Sequence, residues 1–283
     1  MKNLSKRQTV FFAAVVVMVF LVIWVIWGNS ALEVNEYEIV SDRIPQSFDG
    51  FRIAQVSDLH NAQFGSGNSR LIAALSQTEP DIIVLTGDLI DSGKPDLDIA
   101  LAFARQAVKI SPVYYITGNH EAWVPEYEEL KIGLIEAGVT VLDNQKVQFT
   151  REGERITLMG IDDPGFYQFG DSQSVSRQAI DNLLSESDGY TVLLSHRPEL
   201  FDLYVDFGID LVFCGHAHGG QFRLPFVGGL VAPNQGFFPE YDAGQFTKEN
   251  TTMIVSRGGG NSIIPIRINN RPEIPVVTLK NVH

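Results

Sequence analysis

The sequence predicts an α/β fold, with a largely parallel sheet that becomes mixed towards the C-terminus, carried behind one apolar N-terminal helix. Three observations predict it. Short apolar, strand-forming runs recur at 52–56, 82–86, 113–117, 191–194 and 211–214. Segments of helical periodicity alternate with the first of these, the βαβ rhythm that goes with parallel pairing. Further runs at 139–142, 146–149, 156–161, 253–256 and 274–279 include hairpin-like pieces, which implies antiparallel strands as well.

Taken in order, residues 10–27 carry no charged or polar side chain. As a helix rising about 1.5 Å per residue they cover roughly 27 Å, close to a bilayer core. Lys2, Lys6 and Arg7 precede the run and Glu33, Glu36 and Glu38 follow it. The positive-inside tendency therefore predicts a cytoplasmic tail at 1–9, a single-pass anchor at 10–28 in the cell membrane, and an extracytoplasmic domain. A cleaved signal peptide is the rival reading, weakened by the length of the run and by Asn29-Ser30-Ala31, a poor small-x-small site. Lys6-Arg7 falls short of a twin-arginine signal. A linker and first strand are expected at 29–50, and the folded domain at 51–283. Within it, helices are expected at 68–77 behind Asn68, at 96–109, at 126–137 before Gly138, and at 174–185. Residues 219–244, rich in Gly, Pro and aromatics, read as a long loop, of a length that tends to be functional or mobile.

The 283 residues, less the anchor, suit one large domain. A net charge of −13 and the lack of any Lys/Arg stripe argue against a nucleic-acid partner, whose phosphates need cationic side chains. An anionic substrate would need a local positive centre. Cys214 is the only cysteine, so no intrachain disulfide forms, and its apolar neighbours suggest a buried hydrophobe.

The chemistry-bearing residues are concentrated. Five of the six histidines sit in four motifs: Asp58-Leu59-His60, Gly118-Asn119-His120-Glu121, Ser195-His196-Arg197-Pro198 and Gly215-His216-Ala217-His218. Gly87-Asp88 makes a fifth motif, and each of the five follows one of the five strand runs. Singly they are bland: a cap, a turn, a core histidine. Two histidines one residue apart are more pointed, because they project to the same side of an extended chain. Together, in this order and at strand ends, the five are hard to attribute to structure alone. Rival templates fit badly, since there is no G-x-S-x-G elbow, Gly258-Gly259-Gly260 is followed by Asn, and no G-x-G-x-x-G opens a helix. Ser195 and His196, adjacent on a strand, point to opposite faces and make no nucleophile and base.

These residues resemble the calcineurin-like metallophosphoesterase signature, D-x-H, G-D, G-N-H-E, H and G-H-x-H, over about residues 51–279. Gly219-Gly220-Gln221 and Ser256-Arg257-Gly258 resemble a branch of small bacterial enzymes that are often membrane anchored. The resemblance implies two mixed β-sheets packed face to face as a sandwich with flanking helices, and makes 51–283 the catalytic domain. It also implies two divalent metal ions: Asp58, His60 and His218 on one, Asn119, His196 and His216 on the other, and Asp88 bridging. A donor set without thiolate suits Mn, Fe or Zn. The implied reaction is hydrolysis of a phosphodiester or pyrophosphate, with a metal-bridging hydroxide as nucleophile and His120 as proton donor or transition-state stabiliser. The residual positive charge would draw a phosphate into an acidic protein. Glu121 is expected either to orient His120 or to close its loop, and Arg197 and Arg257 are candidate phosphate contacts. Phe222, Phe226, Phe237, Phe238 and Tyr241 either meet an acyl chain or pack their loop. A lipid or envelope phosphoester, UDP-diacylglucosamine among them as in some relatives, is the expected substrate class. The alternative is a non-catalytic, metal-stabilised extracytoplasmic binding protein on the same scaffold, which the intact His120 argues against.

Overall fold

The computed structural model describes residues 5–185, 187 and 189–282; Lys2, and with it part of the expected tail, lies outside them. Helix α1 (Lys6–Ser30) starts in a capping box of Ser5 and Gln8 and buries none of its 25 residues. It is the one helix among the described residues long and apolar enough to cross a membrane, with mean hydropathy 3.0. Strand β1 (Glu33–Ser41) follows with four of its nine residues exposed, an alternation that marks a sheet edge.

A βα succession comes next: β2 (Arg52–Val56), α2 (Ser69–Gln77), β3 (Ile82–Thr86), α3 (Leu97–Ala107), β4 (Val113–Ile116), the single turn α4 (Asn119–Ala122), α5 (Tyr127–Glu136) and β5 (Thr140–Val141). Asp96 caps α3 by accepting the Ile99 N–H at 3.2 Å. Every residue of β3 is buried because both faces of its sheet are covered. Ile83 and Leu85 meet the helices, whereas Ile82 and Val84 meet the opposite sheet. The second half contains β6 (Gln145–Arg151), β7 (Glu154–Gly160), α6 (Ser172–Leu184), β8 (Tyr190–Leu194), α7 (Phe201–Asp206) and β9 (Leu211–Cys214). The stretch 219–244 is not without structure: β10 (Arg223–Leu224) pairs with β11 (Gly228–Gly229), and β12 (Val231–Ala232) with β13 (Gly236–Phe237). Two-residue ladders like these are too short to leave a period in the sequence. Strands β14 (Gly244–Lys248), β15 (Thr251–Val255) and β16 (Glu273–Asn281) complete the chain.

The strands form two six-stranded mixed sheets, β1-β16-β2-β3-β4-β5 and β14-β15-β9-β8-β7-β6. In the first, β2 to β5 run parallel and β16 is antiparallel to β2. In the second, β15, β9, β8 and β7 run parallel between antiparallel β14 and β6. Phe48, Ile53, Val84, Leu158, Val192 and Phe213 fill the layer between the sheets. Helices α2, α3 and α5 cover the outer face of the first sheet, and α6 and α7 that of the second. This is the expected four-layer sandwich. The five motifs therefore leave strand ends of two sheets, three from the first and two from the second. Cys214 is buried in the outer core of the second sheet.

Candidate metal centre

Five of the sixteen non-glycine residues with positive φ among the described residues carry donor side chains of this region. Asp58, His60, Asp88, His216 and His218 have φ of 51°, 44°, 53°, 67° and 48°. Residues with a side chain avoid this region at a cost of about 1 kcal/mol or more each, so the surrounding structure must impose it. It does so by tying the loops to one another: Asp58 N–H donates to Gly87 C=O and His60 N–H to Asp88 C=O, each at 3.0 Å, and Gly215 N–H to His196 C=O at 3.2 Å. Two glycines leave space for the carboxylates. A Cβ on Gly118 would collide with the Asp88 carboxylate, and one on Gly215 with Ser57 and Asp58.

The side chains so aimed converge in two groups. Asp58, His60, Asp88 and His218 present donor atoms within 4.8 Å of one another, and Asp88, His196 and His216 do the same. Asp88 belongs to both. The Nε2 atoms of His60 and His218 lie 3.3 Å apart. Asp88 Oδ2 lies 3.6 Å from His60 Nε2 and 3.2 Å from His196 Nε2. His196 Nδ1 donates to Thr86 C=O at 2.7 Å, which aims Nε2 at the site. Asn119 lines the same cavity with a buried Oδ1 that has no hydrogen-bond partner among the described residues. The structure thus brings together all seven residues singled out as metal ligands.

Charge favours a cation here. Burial holds the imidazoles of His60, His216 and His218 below their ordinary range, with Arg197 adding to the effect at His216, so these rings are neutral with lone pairs to offer. Burial pushes Asp88 upward, but the His196, His60 and His120 imidazoles outweigh it and keep the carboxyl well below the usual range. Burial also lowers His196, yet Asp88, Asp58 and Asp163 carry it to about 10, so without a cation its Nε2 holds a proton beside Asp88 that a bound metal would displace. Convergent neutral imidazoles, carboxylates, one amide oxygen and no thiolate fit borderline divalent cations. Unsatisfied buried donors and acceptors such as Asn119 Oδ1 and His196 Nε2 are otherwise costly.

The second motif divides its labour. His120 Nδ1 accepts the Ser92 N–H at 2.9 Å, so the neutral ring carries its proton on Nε2. That nitrogen lies 3.2 Å from Ser262 Oγ, on the wall of a cavity of about 310 Å³. Glu121 closes the loop: its carboxylate accepts N–H bonds from Asp88, Leu89, Ile90 and Gly118 at 2.8, 2.9, 3.3 and 2.8 Å. Burial and Asp88 raise its pKa to about 7, against the pull of those N–H donors.

The two arginines separate. Arg197 lines the cavity, clamped by both oxygens of Asp163, with Nη1 2.9 Å from His216 Nε2 and 3.1 Å from Asn234 Oδ1. Arg257 lies off the cavity wall, held by Glu33 and Glu273. Sequence reasoning missed Asp163, although an acidic pair at the end of a strand run was a signal. It also missed Asp91, 3.6 Å from His60 Nδ1 and 3.9 Å from His120 Nδ1. Nothing in the pattern could have found Asn234 or Ser262. Of the loop aromatics, Tyr241 packs between Phe201 and Phe246 whereas Phe226, Phe237 and Phe238 are exposed.

The family model described as calcineurin-like phosphoesterase matches residues 51–220. The chain belongs to the calcineurin-like metallophosphoesterase family. It is 31% identical to the metallophosphoesterase YkuE of Bacillus subtilis, covering 89% of this chain and 87% of that protein. To the phosphodiesterase YaeI of Escherichia coli it is 30% identical, covering 81% and 82%. Among solved structures, the Thermus thermophilus protein TT1561 superposes with a TM-score of 0.51 at 14% identity, over 74% of this chain and 90% of that one, a likeness of fold alone. This metallophosphoesterase is a hydrolase of phosphoric esters, with its donor cluster at the ends of the strands.

Proposed function

We propose that this metallophosphoesterase hydrolyses a phosphodiester or pyrophosphate at a centre for two divalent cations, Mn, Fe or Zn. The observation that carries the proposal is the sharing of Asp88 by two donor groups. Asp58, His60 and His218 would hold one cation, Asn119, His196 and His216 the other, and Asp88 both. When bound, the pair supplies positive charge opposite the phosphoryl oxygens and the acidity that makes water a nucleophile near neutral pH.

The chain's own residues supply position and protons. With Nδ1 occupied by the Ser92 N–H, neutral His120 presents its Nε2–H to the cavity as a hydrogen-bond donor to a phosphoryl or leaving oxygen; to hand over that proton the ring must first take a second one at Nδ1, displacing the Ser92 N–H. The rings of His60, at 4.4 Å, and Trp123, at 5.1 Å, hold that imidazole in place. Arg197, fixed by Asp163 and with Nη1 against His216 and Asn234, lies on the cavity wall, where its charge would attract a phosphoryl oxygen.

Helix α1 is read as a single membrane span, with Lys6 and Arg7 on the cytoplasmic side and Glu33, Glu36 and Glu38 outside. The domain, bounded as 51–283, would then act outside the cytoplasm. The YaeI likeness favours a phosphodiester, and the membrane setting favours a lipid or envelope phosphoester. Metal-loaded full-length protein should cleave bis-nitrophenyl phosphate and a lipid pyrophosphate faster than nitrophenyl phosphate, and chelation should abolish all three rates. Loaded protein that binds phosphoesters and turns over none of them would be a binding protein instead.

A further inference from the structure

We propose that the rim of the metal cavity, residues 261–268 with the tip of the β10–β11 hairpin, lies in the interfacial layer of the bilayer that α1 crosses, and that the site takes its phosphoester from a lipid headgroup in that leaflet. This rests on the reading of α1 as a membrane span and of the cavity as a phosphoesterase site.

The helix end and the rim are one hydrogen-bonded unit. Asn29 accepts the Arg267 N–H at 2.8 Å, donates to Arg267 C=O at 3.0 Å, and accepts from Asn261 Nδ2 at 3.2 Å. Arg271 donates to the carbonyls of Ala31 and Leu32 at 3.0 and 2.8 Å, with its guanidinium 4.8 Å from the Trp27 ring centroid. The Arg267 guanidinium, fully buried, bonds Arg257 C=O, Gly260 C=O and Asn261 Oδ1, fixing the segment from within.

Length sets the depth. About 20 residues span a bilayer core. The 25 residues of α1 therefore bring the core boundary close to Asn29, with Trp24 and Trp27 where interfacial tryptophans belong. The rim tied to Asn29 then sits at the surface.

That rim exposes apolar side chains. Ile263 is 90% and Val227 59% exposed, Phe226 fully so, and Ile264, Ile266 and Ile268 are exposed beside them. The hairpin joins the segment through Arg223 N–H to Ile268 C=O at 3.0 Å, and Gln221 Nε2 donates to the carbonyls of Ile264 and Ile266. Ile263 and Ile264 also wall the metal cavity, with Trp123 among its other lining residues. Exposed isoleucines thus run from Ile268, which shares a pocket with Trp24 and Trp27 of α1, through Ile266 and Ile264 to Ile263 at the cavity mouth, and their place beside the membrane span selects the bilayer over a separate protein as occupant. The chain's net charge of −13 includes Lys2, Lys6 and Arg7 ahead of the span, so the domain beyond it carries 18 of the 21 Lys/Arg against all 34 Asp/Glu and its net charge repels anionic lipids; insertion must rest on apolar contact. A headgroup phosphate can then reach the metal end of the cavity while its chains stay in the leaflet.

The test uses the full chain in phosphatidylethanolamine–phosphatidylglycerol vesicles, labelled with an environment-sensitive fluorophore in the variants Ile263→Cys, Phe226→Cys and Glu249→Cys. Native Cys214 is buried and does not compete for label. Glu249 lies in the β14–β15 turn, at the opposite end of the sheet from the site. Nitroxide lipids should quench the labels at 226 and 263 at least about threefold more than the label at 249, as expected for interfacial insertion. Equal quenching at the three positions overturns the proposal. For the substrate, Phe226→Asp with Val227→Asp should lower hydrolysis of a vesicle-embedded diacylglycerol-phosphate nitrophenyl ester at least about tenfold relative to soluble bis-nitrophenyl phosphate. An unchanged ratio overturns the assignment to leaflet lipids. If the wild type hydrolyses neither ester, it is the phosphoesterase reading that fails, and the quenching profile still decides the surface.

Discussion

His120 and Glu121 are neighbours with separate tasks, and their variants should part accordingly. His120→Asn should keep its metals and slow hydrolysis of an ester with a poor leaving group by roughly 10²- to 10⁴-fold, the range for a positioned general acid. Esters with nitrophenolate leaving groups should suffer less; a loss equal across leaving groups would assign His120 to charge stabilisation instead. Glu121→Ala strips the acceptor from N–H groups of Asp88, Leu89, Ile90 and Gly118 at once. Unsatisfied buried donors cost about 1 to 3 kcal/mol each, so stability should fall by roughly 3 kcal/mol or more, together with the geometry around Asp88. A thermal midpoint unchanged from the wild type would show that the carboxylate is dispensable to the loop.

At the level of elements, the strand runs and their motifs were legible because buried parallel strands make apolar blocks and their carboxyl ends carry the polar loops. Strand β1 was less distinct, since Glu33, Asn35, Glu36 and Glu38 dilute its apolar pattern at an edge. The ion pair of Arg197 with Asp163 was illegible because it joins the ends of β7 and β8 across the sheet, and no spacing encodes a cross-strand contact. Arg257 misled for the same reason, its partners Glu33 and Glu273 lying at the start of β1 and of β16. The loop after β7 also carries Asp162, which burial and the nearby Asp143 raise to about 7. The folded chain then binds a proton that the unfolded chain releases near its ordinary pKa of about 3.9. This contribution to stability is full below pH 4 and falls away as pH rises through 7. Asp162→Asn, which can keep the contacts to Asn144 and Tyr167, should flatten that slope and gain of order 1 kcal/mol over the wild type at pH 8 but not at pH 4. Parallel melting curves for the two proteins across this range would refute the assignment.

For the whole molecule, the sandwich positions the site and α1 positions the sandwich. Two sheets whose parallel strands end at one edge bring together loops that no single sheet carries, with Asp88 between them. The charges around α1 predict that protease added to intact spheroplasts degrades the domain while the protein stays with the membrane. Protection until lysis would reverse the orientation and move the substrate to the cytoplasmic leaflet, and release of a shortened soluble protein would mean that the helix is cleaved. Metal stoichiometry measured against turnover, in the wild type and in Asp88→Asn, bears most directly on the shared carboxylate. The wild type should bind two divalent ions per chain, with phosphodiesterase activity complete only at the second equivalent, and Asp88→Asn should lose metal and activity together. Full turnover with one ion per chain, or an Asp88→Asn protein that keeps two metals and its full rate, would contradict a centre built on Asp88.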